Sequence, residues 1–298
     1  MIKKETSFID LKQVKIDDPF FSRVQDVVIH TMLPYQERVL HDEVSGIRKS
    51  HVIKNFRIAA GDEKGTYYGR VFQDSDLAKW LEAVAYSLTV EANPELEARA
   101  DAIIDLIGRA QQPDGYLNTY FTVCHPELRW KNLTEGHELY SAGHLIEAAV
   151  AYYNATGKRR LLDIAAKFAD LICQTFGDGE GQLPGYPGHQ EIELALVKLW
   201  RVTGEERYLK TARFFIDCRG RTPNYLLREM NDPNHKVIFP ELRNYDPSYS
   251  QSHVRPVEQK TMEGHAVRAM YQCSAMADLA DIQQDEALRN ACQTLWDN

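Results

Sequence analysis

Three predicted helices each begin with a glycine–histidine pair, and these pairs are well suited to carry chemistry. The histidines are His137, His189 and His265, and an apolar helical pattern follows each of them. Their wide separations match no usual spacing of metal ligands. The positive end of a helix dipole disfavours a protonated imidazole, and a neutral imidazole hydrogen-bonds well to hydroxyl groups. We therefore favour contacts to a sugar substrate over a metal site, with helix capping or core packing as the structural alternative.

The segments that lead into these helices are rich in aromatic and amide side chains. Residues 111–121 combine a turn with an aromatic run, and residues 185–188 and 245–249 are similar. Aromatic rings stack on the apolar faces of sugars, while amides and hydroxyls bond the polar edges. Hydrolysis of a glycoside generally needs two positioned acids, but spacing singles out no pair, so the catalytic residues stay unassigned. The acids near the predicted helix starts are Asp74, Asp76, Glu135, Glu138, Glu191 and Glu263.

Paired helices must position these residues. The first helix of each pair is mostly apolar, whereas the second has one apolar face. Residues 152–162 and 199–209 match at an offset of about 47 residues, which indicates a repeat of helical hairpins. The predicted pairs are 76–88 with 93–108, 135–157 with 158–173, 190–202 with 205–218, and 265–282 with 285–296.

The contrast between the two helices of each pair favours a closed ring, because a helix without a polar face must be surrounded by other helices. The fold class predicted is all-α, an (α/α)6 barrel or six-hairpin toroid, with an open solenoid as the alternative. Inner helices that run parallel bring their N-termini to one rim. We therefore expect the three histidines to face one cavity, with the glycine before each allowing a tight turn into the helix.

The N-terminal part follows a different pattern. Residues 7–16 alternate in part and predict a strand, which would need a partner and is expected to join a β-sandwich domain. Residues 20–41 predict a helix that Pro34 interrupts, and residues 45–75 look irregular. The predicted domains are a strand segment at 1–19 and a barrel at 20–298. A ring needs six hairpins, and the helical pattern stops at Asn298 without a cap, so we expect the barrel to be incomplete and the protein to be longer.

Composition excludes several classes of partner. The chain has 298 residues and a formal net charge of −8, which argues against nucleic acid and anionic membranes. No stretch approaches the ~20 apolar residues of a membrane span, and the N-terminus carries no signal peptide. The five scattered cysteines predict buried free thiols, and hence a cytoplasmic protein.

Four stretches closely resemble the β-L-arabinofuranosidases of glycoside hydrolase family 127: residues 71–82, 110–117, 188–195 and 263–268. Residues 49–61 resemble the family as well. The resemblance implies an (α/α)6 barrel followed by β-sandwich domains, and a retaining mechanism with a zinc-bound cysteine nucleophile and a glutamate acid/base. The zinc ligands are expected beyond residue 298, so no metal is expected in this chain. The resemblance also implies that His137, His189 and His265 contact the sugar.

The sequence therefore predicts a hydrolase, a glycosidase that removes terminal β-L-arabinofuranose from oligosaccharides, of which this part alone would be inactive. A non-catalytic sugar-binding toroid is one alternative. Another six-hairpin sugar enzyme, an epimerase or an unsaturated-uronide hydrolase, is a second, on analogy of fold alone. The expected partners are an oligosaccharide substrate and, for assembly, a second copy in a homodimer.

Overall fold

A computed structural model describes residues 9–298, and this part of the chain is largely helical. The first long helix consists of α1 (Pro19–Val27), a π-helical turn (Val28–Met32) and α2 (Leu33–Leu40). The remaining helices are α3 (Val52–Ala59), α4 (Asp74–Val90), α5 (Pro94–Ala110), α6 (Thr119–Cys124), α7 (Glu138–Thr156), α8 (Arg160–Thr175), α9 (Ile192–Thr203), α10 (Glu206–Cys218), α11 (Tyr225–Met230), α12 (Ala266–Gln283) and α13 (Glu286–Trp296).

The four predicted hairpins are confirmed. They pair α4 with α5, α7 with α8, α9 with α10, and α12 with α13. The first helices pack side by side in the order α4, α7, α9 and α12, and each second helix packs against its own partner. The described residues therefore build an all-α toroid of the (α/α)6 type, as predicted.

Helix α7 is the centre of this arrangement. It packs between α4 and α9, with α8 also against it, and nearly every residue from Glu138 to Tyr152 is buried. Burial of apolar side chains such as Ile146 contributes roughly 2 kcal/mol each. Gly157 ends the helix with φ +75°, and its N–H donates to the carbonyl of Tyr153 at 2.8 Å. An apolar surface on all sides thus requires neighbours on all sides, which the inner wall provides.

The outer helices bury one face only. On α8 the buried side chains recur at helical spacing and face the core. They are Leu161, Leu162, Ile164, Ala165, Phe168, Ala169 and Ile172. Val267 and Met270 of α12, the last inner helix, are exposed. Within the described chain only one other inner helix, α9, packs beside α12.

The strand predicted over residues 7–16 is wrong where the structure describes it. Residues 9–16 form no strand, and Leu11–Gln13 is a single 3-10 turn. The carboxylate of Asp10 accepts a hydrogen bond from the backbone N–H of Lys12 at 3.0 Å, which favours the turn. Residues 7 and 8 lie outside the described residues. The division at residue 19 and the pairing with a β-sandwich stay predictions.

Pro34 does not interrupt its helix, contrary to the prediction. The π-helical turn Val28–Met32 ends two residues before Pro34 and is wider than an α-helical turn. A proline inside an α-helix collides with the carbonyl four residues back, and a wider turn relieves that collision. Helical structure therefore continues from Pro19 to Leu40.

Three short helices were not predicted: α3, α6 and α11. Helix α3 buries Val52, Ile53 and Phe56 within the segment that looked irregular. Helices α6 and α11 begin at asparagine caps, Asn118 and Asn224, whose side chains accept from the backbone N–H three residues later. They are too short for hydrophobic periodicity to reveal them.

All five cysteines are free thiols, as predicted, but only Cys218 is buried and Cys124 is exposed. Among residues 9–298, no helix combines the length and the apolar character that crossing a membrane would require.

Candidate functional site

The three predicted histidines lie side by side at one rim of the inner wall. His137 directly precedes α7, His265 directly precedes α12, and His189 lies shortly before α9. The ring centroids of His137 and His189 are 5.6 Å apart, and those of His189 and His265 are 5.7 Å apart. All three side chains are partly exposed. The parallel helix starts thus bring the imidazoles together in one row.

His137 and His189 each use Nδ1 for a hydrogen bond to backbone. Nδ1 of His137 donates to the carbonyl oxygen of Glu135 at 2.6 Å, and Nδ1 of His189 donates to that of Gln190 at 2.7 Å. A carbonyl oxygen only accepts, so the proton of each neutral ring sits on Nδ1. Nε2 of each ring therefore keeps a lone pair that can accept a hydrogen bond from a hydroxyl group.

The environment keeps these imidazoles neutral. Burial lowers the pKa of His137 to about 4 and that of His189 to about 2, and the positive charge of Arg268 acts in the same direction on both. Burial and then Arg268 also lower the pKa of His265. Near pH 7 the row therefore offers uncharged hydrogen-bonding groups rather than cations.

The glycines before the histidines serve two different purposes. Gly264 has φ +75° and allows the tight turn that was expected. Gly136 and Gly188 lack a positive φ, but a Cβ on either would lie 2.4 Å and 2.3 Å, respectively, from a backbone oxygen. The positive φ falls instead on His137, at +54°. Close packing of the chain, rather than a turn, therefore requires glycine at these two positions.

Aromatic side chains surround the row. The rings of Phe72 and Phe239 lie 5.1 and 5.7 Å from the ring of His137. The ring of Tyr140 lies 4.4 Å from that of His189. These rings supply apolar surface beside the imidazole nitrogens, which is the combination that a sugar ring with one apolar face requires. We call the row and these rings the histidine pocket.

The buried acids named from the sequence mostly hold the protein's own groups. Glu135 is fully buried, and its carboxylate accepts from the backbone N–H groups of Ile238 at 3.1 Å and Phe239 at 2.7 Å. Nε2 of His235 lies 2.8 Å from the same carboxylate. Glu135 therefore anchors the segment that carries Phe239 to the pocket wall.

Asp74 and Glu138 have similar roles. The carboxylate of Asp74 accepts from the N–H of Thr119 at 2.7 Å and from its hydroxyl at 2.5 Å. The carboxylate of Glu138 accepts from the hydroxyl of Tyr116 at 2.5 Å. Burial raises the pKa of Asp74 to about 6 and that of Glu138 to about 8, against the lowering effect of these bonds. Of the other three acids, Asp76 and Glu263 are exposed and Glu191 is fully buried.

Among the described residues, the one group of three or more side chains placed to share a metal ion is His144, Glu147 and Glu191. We call it the buried triad. Nδ1 of His144 lies 3.5 Å from a carboxylate oxygen of Glu191 and 4.0 Å from one of Glu147. Lys198 already pairs with Glu147, and burial followed by Glu147 raises the pKa of Glu191 well above its ordinary value. A proton on Glu191 therefore neutralises this group without an ion.

The cysteines do not fit the zinc site that the resemblance implies. No cysteine of the described chain belongs to a group of three or more potential ligands. Cys218 and Cys173 instead approach backbone carbonyls, of Pro184 and Arg207 respectively. Burial raises the pKa of both thiols to about 11, which is the reverse of what a metal-binding thiolate needs.

A sizeable cavity lies beside the histidine pocket and not in it. Its volume is about 830 Å³, and Trp130, Tyr225 and Ile238 are among the residues that line it. Since Ile238 lines the cavity while the next residue, Phe239, packs on His137, this segment separates the two spaces. The cavity lacks the converging imidazoles, so we place the candidate site at the histidine pocket.

Several residues of the pocket were missed in the sequence. Tyr140 follows His137 by three positions and Arg268 follows His265 by three, so each shares a helix face with its histidine. This three-residue spacing from a histidine is the sequence feature that could have identified both residues. Lys79 comes from α4, and its Nζ donates to the hydroxyl of Tyr140 at 2.8 Å, a contact that no local pattern reveals.

The helical toroid, with a row of imidazoles and aromatic rings at its rim, places the chain in the class of six-hairpin barrels. Residues 13–298 match the family model for the β-L-arabinofuranosidase, GH127 catalytic domain. The chain belongs to glycoside hydrolase family 127.

Two solved structures and a curated relative agree with this assignment. A GH127 β-L-arabinofuranosidase from Geobacillus stearothermophilus T6 is 56% identical with a TM-score of 0.92, covering 96% of this chain and 45% of that one. A structure named GH127 β-arabinofuranosidase is 35% identical with a TM-score of 0.83, covering 97% and 43%. A non-reducing end β-L-arabinofuranosidase of Bifidobacterium longum subsp. longum is 40% identical, covering 96% and 46%. The chain thus spans less than half the length of these relatives.

Proposed function

We propose that the histidine pocket binds the terminal β-L-arabinofuranose of an oligosaccharide, in a glycosidase that removes this sugar. The single observation that carries the proposal is the row of three imidazoles, 5.6 and 5.7 Å apart, at the rim of a family 127 barrel. The relatives named above are β-L-arabinofuranosidases, which supports this choice of sugar.

The residues of this chain bind and orient the sugar in the proposal. Nε2 of His137 and of His189 accepts hydrogen bonds from sugar hydroxyls, because each Nδ1 is committed to a backbone carbonyl. Phe72 and Phe239 cover the apolar side of the ring, and Glu135 holds Phe239 in place. The zinc site of the resemblance has no counterpart among the described residues, so no step is assigned to a metal or to a nucleophile here.

The test uses the complete protein and an aryl β-L-arabinofuranoside. His137→Ala, His189→Ala and His265→Ala should each lower kcat/KM by roughly tenfold or more, since one hydrogen bond contributes about 1.5 kcal/mol. His30→Ala is the matched control, because its side chain is half exposed on the first long helix and pairs with Glu91. Full activity in all three folded pocket variants would show that the pocket assignment is wrong.

Sugar binding without hydrolysis is the second candidate. It is favoured by the use of Asp74, Glu135 and Glu138 to hold the protein's own groups. Calorimetric titration with L-arabinose, alongside an assay for release of the sugar, separates the two candidates. Binding without any release by the complete protein would favour the second.

The proposal also places the protein in the cytoplasm, on the support of five free cysteines. A homodimer stays a prediction, to be checked by light scattering after size exclusion.

A further inference from the structure

Two buried arginines lie behind the histidine pocket. The side chain of Arg219 is fully buried, and its guanidinium donates to the carbonyl oxygens of Pro187 at 2.7 Å and Ser250 at 2.9 Å. It also pairs with Glu193 at 3.2 Å. Arg219 thereby joins the segment 187–190, which carries His189, to the segment 247–252.

Arg268 joins the same two segments a second time. Its guanidinium donates to the carbonyl oxygen of Gly188 at 2.9 Å and to the hydroxyl of Ser250 at 2.7 Å. It lies over the ring of Tyr249, 4.5 Å from the centroid. Only 3% of Arg268 is exposed, so these bonds replace contacts that water would otherwise make.

The segment 247–252 in turn supports His265. The carbonyl oxygen of Tyr249 accepts from the backbone N–H of His265 at 3.1 Å, and the two rings are 5.6 Å apart. The side-chain amide of Gln251 donates to the carbonyl of His265 at 3.2 Å. His189 and His265 therefore belong to two segments that both arginines connect.

We propose that Arg219 and Arg268 are positioning residues for the sugar site, which fix His189 relative to His265 by hydrogen-bonding both supporting segments. This inference rests on the proposed function, because it assigns the purpose of the connection to the sugar contacts. Donation to carbonyl oxygens suits this purpose, since a planar guanidinium holds two acceptors at a fixed separation.

Arg268 also acts on the pocket through its charge. Its charge lowers the pKa of all three imidazoles in addition to the larger effect of burial. Arg268, His137 and His265 are the charged or titratable groups that act on His189, and the phenol rings of Tyr140 and Tyr271 also face it. Replacing Arg268 with a neutral residue should therefore raise the pKa of His189, whereas lysine should preserve it.

The experiment compares Arg268→Gln, Arg268→Lys and Arg219→Gln in the complete protein. Hydrogen exchange of the backbone amides in segments 187–190 and 247–252 should accelerate at least tenfold in all three variants, because each loses part of the connection. The kcat/KM should fall on the order of 10²-fold for Arg268→Gln, as misplacement of contacts by about 1 Å would produce. Arg207→Gln is the control, since Arg207 pairs with Asp170 on the outer helices.

Titration of ¹³C-labelled histidines measures the pKa of His189, which would not change if Arg268 had only a structural role. A rise in the pKa of His189 in Arg268→Gln but not in Arg268→Lys supports the proposal. Folded variants with unchanged amide exchange in both segments would overturn it. If the glutamine variants do not fold, amide exchange in Arg268→Lys alone decides between these outcomes. Amide exchange and histidine titration do not depend on hydrolysis of a sugar. An error in the proposed function would appear separately, as full activity of the three histidine variants.

Discussion

Substitution of Gly143 by alanine should disturb both the stability and the pocket of this protein. A Cβ at this position would lie 1.4 Å from a carboxylate oxygen of Glu191 and 2.9 Å from the backbone nitrogen of Ile192. The first distance is less than half of the ~3.5 Å at which carbon and oxygen normally touch. Glu191 is fully buried, so its carboxylate has no free volume into which it can turn.

The expected cost lies at the upper end of the range for overpacked cores, about 3 kcal/mol. The backbone of Ile192 is also in the way, so α7 and α9 must separate. His189 precedes Glu191 by two residues and should shift with it, so the proposed binding of sugar should weaken as well. For a domain of this size the melting temperature should fall by roughly 6–12 °C.

Thermal and urea unfolding measure the free energy of unfolding, and titration with L-arabinose measures the affinity of the histidine pocket for the proposed sugar. Gly157→Ala is the matched control on the same helix: a Cβ there has no neighbour within 4 Å, although φ is +75°. It should cost about 1–2 kcal/mol from backbone strain and leave binding unchanged. A double-mutant cycle with Glu191→Ala should recover part of the loss, since it removes the nearest obstacle. Wild-type stability and binding in Gly143→Ala would refute the packing described here.

Three further substitutions or reactions test other contacts. Glu135→Ala removes the acceptor that holds the segment of Phe239, so it should cost about 3 kcal/mol in urea unfolding, and a loss below about 1 kcal/mol would contradict the anchoring role. Burial raises the pKa of Asp74 from its ordinary 3.8 to about 6 in the folded protein. Its contribution to stability is therefore complete below pH 3.8 and is lost as the pH rises to about 6. Asp74→Asn should therefore gain about 3 kcal/mol relative to the wild type between about pH 4 and pH 7, and a constant difference would refute the shift. The exposed Cys124 should react with a thiol reagent well before the buried Cys218, and equal rates in the native protein would contradict the fold.

The helices of the barrel could be predicted because their patterns are local. The predicted 265–282 and the observed Ala266–Gln283 agree within one residue at each end, since an apolar periodicity and its stops are written into neighbouring residues. The row of histidines was accessible for the same reason, because parallel helix starts bring equivalent positions to one rim.

Contacts between distant segments were not accessible in this way. Arg219 is fully buried although charge alone suggests a surface position, and only the tertiary structure shows the carbonyl oxygens that it meets. Glu135 and Glu263 hold equivalent places two residues before a histidine, yet one is buried and the other exposed. Spacing along a helix cannot show which loop will fold over it. The alternation of apolar and polar residues at 9–16 likewise forms a strand only beside a second strand, and a local pattern cannot show whether one is present.

The guanidiniums of Arg219 and Arg268 donate mostly to main-chain oxygens, which belong to Pro187, Gly188 and Ser250. Main-chain oxygens are the same whichever amino acid occupies a position, so these three bonds do not depend on the chemistry of the side chains. Under the proposed function, a barrel held in this way is a starting point for designing selectivity toward other monosaccharides. Variation is best directed at the rings of Tyr249 and Phe239, leaving both arginines in place.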